Sequence, residues 1–253
     1  MMLRCPAGWS TFCGCVKRIE SHPATAEAAD HAGYMHWLRD RALTLVLMAF
    51  FLVFLAGQMT AGFYEYNAEQ LENGRPAVTL REYFSTGHPW EATFENWESE
   101  FLQMAVFILL TTMLVQRGSP ESRRPGVKEL VDVDPRGFAN LPDVPWPVKR
   151  GGWILKIYEN SLGLAFVFLF LVSWAGHVWG GFADYREEAV NHGQPQPPLM
   201  VYLTSSRLWF ESFQNWQSEF LAIASMVWLG VYLRQRYSPE SKPVHAPHDD
   251  TGR

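Results

Sequence analysis

The sequence predicts an all-α membrane protein in which four transmembrane helices form two tandem hairpins, a parallel repeat. Three observations lead there. Apolar residues gather in four blocks, positive charge gathers at one end of every block, and the chain's halves superpose after a shift of 119 residues, Phe94 onto Phe213. A mean hydropathy of -0.10 averages this segregation away. The 11 Trp and 17 Phe suit a bilayer, since Trp sits well where an apolar ring and one N–H donor are both accommodated. A net charge of -5 points to neither nucleic acid nor a polybasic surface anchor.

Residues 1–34 read as a disordered leader, too short of apolar residues to bury a core and too broken for a secretory signal. They hold all the cysteines, Cys5, Cys13 and Cys15, so no disulfide framework is expected in the body. A Cys-x-Cys pair without a nearby His cluster makes a weak metal site, and no metal or cofactor is expected. The first block, 43–63, carries no charge and is long enough to cross about 30 Å of hydrocarbon. The third, 161–183, has the same character. The second and fourth, 101–115 and 220–233, reach spanning length only when the preceding Asn-Trp-x-Ser-Glu turn is included.

Lys and Arg near the span ends set direction. Arg39 and Arg41 precede the first span, Arg117, Arg123 and Arg124 follow the second, Lys149, Arg150 and Lys156 precede the third, and Arg234, Arg236 and Lys242 follow the fourth. The loops 64–95 and 184–214 hold only Arg75, Arg81, Arg186 and Arg207 among more carboxylates. Both termini and the middle linker are therefore expected in the cytoplasm of a multi-pass inner-membrane protein. The shifted register matches Ala56-Gly57 to Ala175-Gly176, Gly74-x-Pro76 to Gly193-x-Pro195, and Tyr83 to Tyr202. It also matches Gln116-Arg117-x-Ser119-Pro120-Glu121-Ser122 to Gln235-Arg236-x-Ser238-Pro239-Glu240-Ser241. The expected organisation is a first two-span repeat at 35–122, a cytoplasmic linker at 123–152, a second repeat at 153–242 and a disordered tail at 243–253. Short outer helices are expected around 80–84 and 199–203.

These motifs, the Gly-x-Pro loop, the Asn-Trp-x-Ser-Glu-Phe-Leu run and the Gln-Arg-x-Ser-Pro-Glu-Ser turn, resemble an uncharacterised bacterial integral-membrane family classed as a domain of unknown function. The resemblance covers roughly residues 35–243 and implies a bacterial plasma-membrane protein, with no activity to transfer.

The motif Asn96, Trp97 and Ser99, with its copy Asn215, Trp216 and Ser218, reads as a helix-starting segment capped by Thr93 and Ser212. Glu98 meets Gln217 in the shifted register and reads as surface variation. Glu100 and Glu219 are acidic in both halves and lie deepest, where charge usually faces a partner or cavity. With His177 and its counterpart Gln58 they make a candidate intramembrane polar cluster. Gly176-x-x-x-Gly180 permits close helix approach. No nucleophile–base pair, phosphate loop or paired haem ligands occur, so no catalytic set is visible. Three function classes follow: a structural, accessory or interaction protein working with the bilayer, a second copy or another membrane protein; a small transporter coupled to protons or cations through the Glu pair; and a membrane enzyme, for which the residues offer no recognisable catalytic set.

Overall fold

The computed structural model describes residues 35–252. The leader with its cysteines therefore lies outside the described residues. Every regular element described is helical: α1 (Ala42–Glu72), α2 (Leu80–Tyr83), α3 (His88–Met113), α4 (Trp146–Arg150), α5 (Gly152–Glu159), α6 (Ser161–Asn191), α7 (Leu199–Leu203) and α8 (Ser206–Tyr232). Short 3-10 turns at Leu130–Asp132 and Pro135–Phe138 interrupt the linker. Two helices, α1 and α6, are long and apolar enough to cross a membrane. Helices α3 and α8, with 26 and 27 residues, are also long, but their first halves are polar and charged.

The chain divides into two compact units, 1–58 and 59–253. The described part of the first, residues 35–58, runs into the opening of α1, a stretch without Pro in which Leu43, Val46, Leu47, Phe50, Val53 and Phe54 all stand exposed. In the second unit α3 packs mainly on α6 and also on α8. Small residues make the first contact possible, as the glycine spacing leads one to expect. A Cβ on Gly180 would stand 2.5 Å from the Glu91 backbone N, and one on Gly176 would stand 2.5 Å from the Phe94 ring. Backbone cannot yield cheaply in a packed seam, so Gly180→Val is expected to cost about 1–3 kcal/mol. Gly57, whose added Cβ would meet nothing within 4 Å, is the control. There Gly57→Ala should be neutral or stabilising by up to about 1 kcal/mol in helix propensity. Thermal unfolding of both variants in detergent checks the pair.

The helices begin earlier than expected. Gly87 and Ser205 are the caps, and the Ser205 side chain accepts from the Leu208 N–H. Thr93 and Ser212 lie inside the helices instead: Thr93 Oγ1 donates to the Pro89 carbonyl at 2.7 Å. Asn96 and Ser99 likewise bond back to the Ala92 and Asn96 carbonyls, while Ser218 bonds to that of Asn215. Pro89, placed in the first turn where its missing N–H costs nothing, moves the start forward.

Matched positions adopt matched geometry. Gly74 and Gly193, at φ 71° and 67°, close the ends of α1 and α6 with N–H bonds to the Leu71 and Val190 carbonyls. Trp90 and Trp209 each donate Nε1–H to a carbonyl six residues back, both at 3.0 Å. Phe94–Trp97 and Phe213–Trp216 both pack edge to face. After α3 and α8, the Ser122 and Ser241 hydroxyls accept from the Gln116 and Gln235 N–H groups, both at 2.9 Å. Sequence reasoning leaves 243–253 as a disordered tail, whereas its described residues are tied back by specific bonds. Buried Lys242 donates to the Pro247, His248 and Asp250 carbonyls, and Gly252 N–H reaches the Ser119 carbonyl at 3.0 Å.

Candidate functional site

Helical spacing carries polar stripes as well as apolar ones. On α3, Glu91, Glu95 and Glu98 follow at intervals of four and three; on α8, Arg207, Glu211 and Asn215 follow at intervals of four. On α6, His177 and Asp184 stand two turns apart. Packing α3 against both α6 and α8 turns these stripes toward one another.

At the centre, His177 and Glu98 are both fully buried, and Nδ1 lies 2.6 Å from Glu98 Oε2. The other Glu98 oxygen accepts from Trp216 Nε1–H at 2.9 Å and from the Ser212 hydroxyl at 3.2 Å. Glu98 is thus held by donors from two helices. With the ring proton on Nδ1, this carboxylate accepts a third hydrogen bond. His177 Nε2 has no hydrogen-bond partner, nor does Glu211 Oε2, which faces it at 3.6 Å.

Nearer the helix ends, the guanidinium of Arg207 gathers carboxylates from three helices. Nη2 contacts Asp184 at 2.7 Å and Glu91 at 3.1 Å, Nη1 contacts Glu188 at 2.8 Å, and Nε contacts Glu211 at 3.0 Å. Burial pushes the Glu91 carboxyl up to about 8, against the pull of Arg207. Tyr202, fully buried with its hydroxyl unpartnered, crowds the same place: a Cβ on Gly181 would meet both Tyr202 Oη and Glu91 Oε1. Arg207 and Asp184 also line a cavity of about 460 Å³, together with Tyr66, Gln70, Arg75 and His88.

The structure divides the residues expected to cluster. Glu100 and Glu219 stand beside each other, with Glu100 exposed and Glu219 half-buried, and Gln103 Nε2 donates to the Glu219 carbonyl at 2.6 Å. His177 bonds to Glu98 instead. Two residues of helix turn the side chain by about 200°, so Glu98 and Glu100 leave α3 on different faces. Gln58 belongs to the first unit and is exposed. Of the helix-starting motif, Trp216 joins the site through its indole N–H and Asn215 through a bond to Glu95. The expectation that Glu98 is surface variation is overturned by its complete burial. Sequence reasoning also passed over Glu91, Glu211, Arg207 and Tyr202. The stripe Glu91–Glu95–Glu98 was the available signal, since three acids on one helix face need a partner or water.

No curated protein and no solved structure matches the chain. A family model described as Domain of unknown function (DUF6766) matches residues 34–253, and with that coverage the chain belongs to this family.

Proposed function

We propose that this chain is a four-span protein of a bacterial plasma membrane, two tandem hairpins with both termini cytoplasmic, that binds a cation or proton at its outer end. Its role is then that of an accessory or receptor component and not of a conduit. One observation carries this reading: a buried, charge-dense site is followed by helix halves with nothing ionisable. Beyond Glu100, α3 from Phe101 to Met113 contains no acid, base or His, and neither does α8 from Phe220 to Tyr232. Within α6, residues 161–176 are equally bare. A proton or ion crossing the bilayer needs polar groups along its way, and such groups are what intramembrane function usually marks. The exposed apolar faces of α1 and α6 suit lipid, and the matched turns and caps support descent from a duplicated hairpin.

A second reading, a small transporter using Glu100 and Glu219, draws support from the proximity of those carboxyls. Proteoliposomes holding a potassium-valinomycin potential separate the two. The receptor reading expects proton and cation flux no greater than in protein-free vesicles. Flux that Glu100→Gln or Glu219→Gln abolishes would establish the transporter. Topology is tested by fusing alkaline phosphatase or green fluorescent protein after Asn73, Gly137, Asn191 and the C-terminus. Phosphatase activity is expected at 73 and 191, and fluorescence at 137 and the C-terminus. The reverse pattern at any site would remove the four-span reading.

A further inference from the structure

We propose that Glu91, His177 and Glu211 form a binding site for a divalent first-row transition metal, with Glu98 orienting the His177 ring. The inference rests on the reading of this site as one for cations and names the cation class. Ligand atoms of these residues, from α3, α6 and α8, all lie within 4.8 Å of one another. That proximity alone would describe many acidic clusters. Here a second observation stands beside it: His177 is 0% exposed and its Nε2 has no partner, although it points at a buried, equally unpartnered carboxylate oxygen.

The 3.6 Å between His177 Nε2 and Glu211 Oε2 is informative. It is too long for an N–H···O bond, which lies at about 2.7–3.2 Å. Two ligands each about 2.0–2.1 Å from a tetrahedral metal stand roughly 3.4 Å apart. With Nδ1–H given to Glu98, release of the Nε2 proton leaves a lone pair facing the Glu211 carboxylate, and a metal cation between them takes that proton's place. The Glu98–His177 pairing is also what metal-binding imidazoles typically have, a carboxylate on the far nitrogen that fixes the tautomer and raises ligand basicity. Charge agrees. Among the described residues Arg207 is the one permanent cation ion-paired with Glu91, Asp184, Glu188 and Glu211, and Glu98 pairs with His177. Tyr202 adds an unpartnered hydroxyl beside Glu91, suited to a metal-bound water. Imidazole with two carboxylates favours Zn²⁺ and its neighbours over Ca²⁺, which takes six to eight oxygens.

The test uses the full chain, purified in detergent and stripped with EDTA, and Zn²⁺ and Co²⁺ as probes. Calorimetry should find one saturable Zn²⁺ per chain. Co²⁺ should give visible d–d bands of low-symmetry coordination, a readout independent of any activity. Glu211→Gln and Glu91→Gln, close to isosteric, should weaken binding at least about 30-fold while the melting profile stays cooperative. Glu98→Gln should weaken it about 10–100-fold with the Co²⁺ bands shifted but present. Glu100→Gln should leave it unchanged. Absence of saturable Zn²⁺ and Co²⁺ binding below about 100 μM, or equal affinity in the folded Glu211→Gln variant, would overturn the inference. Its failure is separable from that of the receptor reading. Zn²⁺ binding together with Zn²⁺ flux in proteoliposomes would uphold the metal site and remove the receptor, whereas absent metal binding with absent flux would leave the receptor reading standing.

Discussion

Glu98→Ala is expected to destabilise the protein by about 3–5 kcal/mol, the largest effect of any single substitution in the site. The value follows from what is left behind. His177 Nδ1, Trp216 Nε1 and the Ser212 hydroxyl all give a hydrogen bond to this one carboxylate, and breaking a buried charged pair by removing one partner typically costs that much. Replacing both members by apolar side chains removes the orphaned groups together, so Glu98→Leu with His177→Leu should cost clearly less than the sum of the single changes. A double-mutant cycle on unfolding midpoints in detergent measures the difference, expected at about 1.5 kcal/mol or more. Additive effects would mean that the two side chains do not meet.

Arg207→Leu is expected to have the next largest effect, and its size should depend on pH. The guanidinium touches Glu91, Asp184, Glu188 and Glu211, but it is partly open to solvent, so the loss near neutral pH is expected at the lower end, about 3 kcal/mol. Glu91 sets the sign. Burial already raises its carboxyl from 4.5 to about 8, so its contribution to stability is fully present below 4.5 and is lost as pH rises through about 8. Without Arg207 the folded-state value rises further, because the favourable charge is gone and the burial remains. The deficit of Arg207→Leu relative to wild type should therefore be level from pH 5 to about 7 and grow as pH rises above about 8. Melting temperatures of both proteins across that range check it, and a gap that widens toward acid would contradict the arrangement.

The short helices at 80–83 and 199–203 and the turns before them were legible because they rest on local chemistry. Gly at a positive φ, Ser accepting from a turn N–H and Trp reaching back to a carbonyl need only a few neighbouring residues. The site was not legible in the same way, for a reason visible in the register itself. Looking for acids present in both halves selects Glu100 and Glu219. Five of the residues that meet in the interior are ones on which the halves differ: Glu91 stands opposite Phe210, Glu98 opposite Gln217, Glu211 opposite Ala92, Arg207 opposite His88 and His177 opposite Gln58. A single buried site between unlike helix faces uses each element once, so similarity between the halves does not point to these five.

By itself the sequence determined an all-helical chain, the spacing of its turns, two helices apolar enough for a bilayer and the close approach permitted at Gly176 and Gly180. Only the tertiary structure decided which face of α3 is buried, and with it that Glu98 and not Glu100 receives His177. The physical reason is rotational. Periodicity places residues on a common face, but which face is enclosed depends on how α6 and α8 lie against α3, and that is settled by side chains far away in the chain.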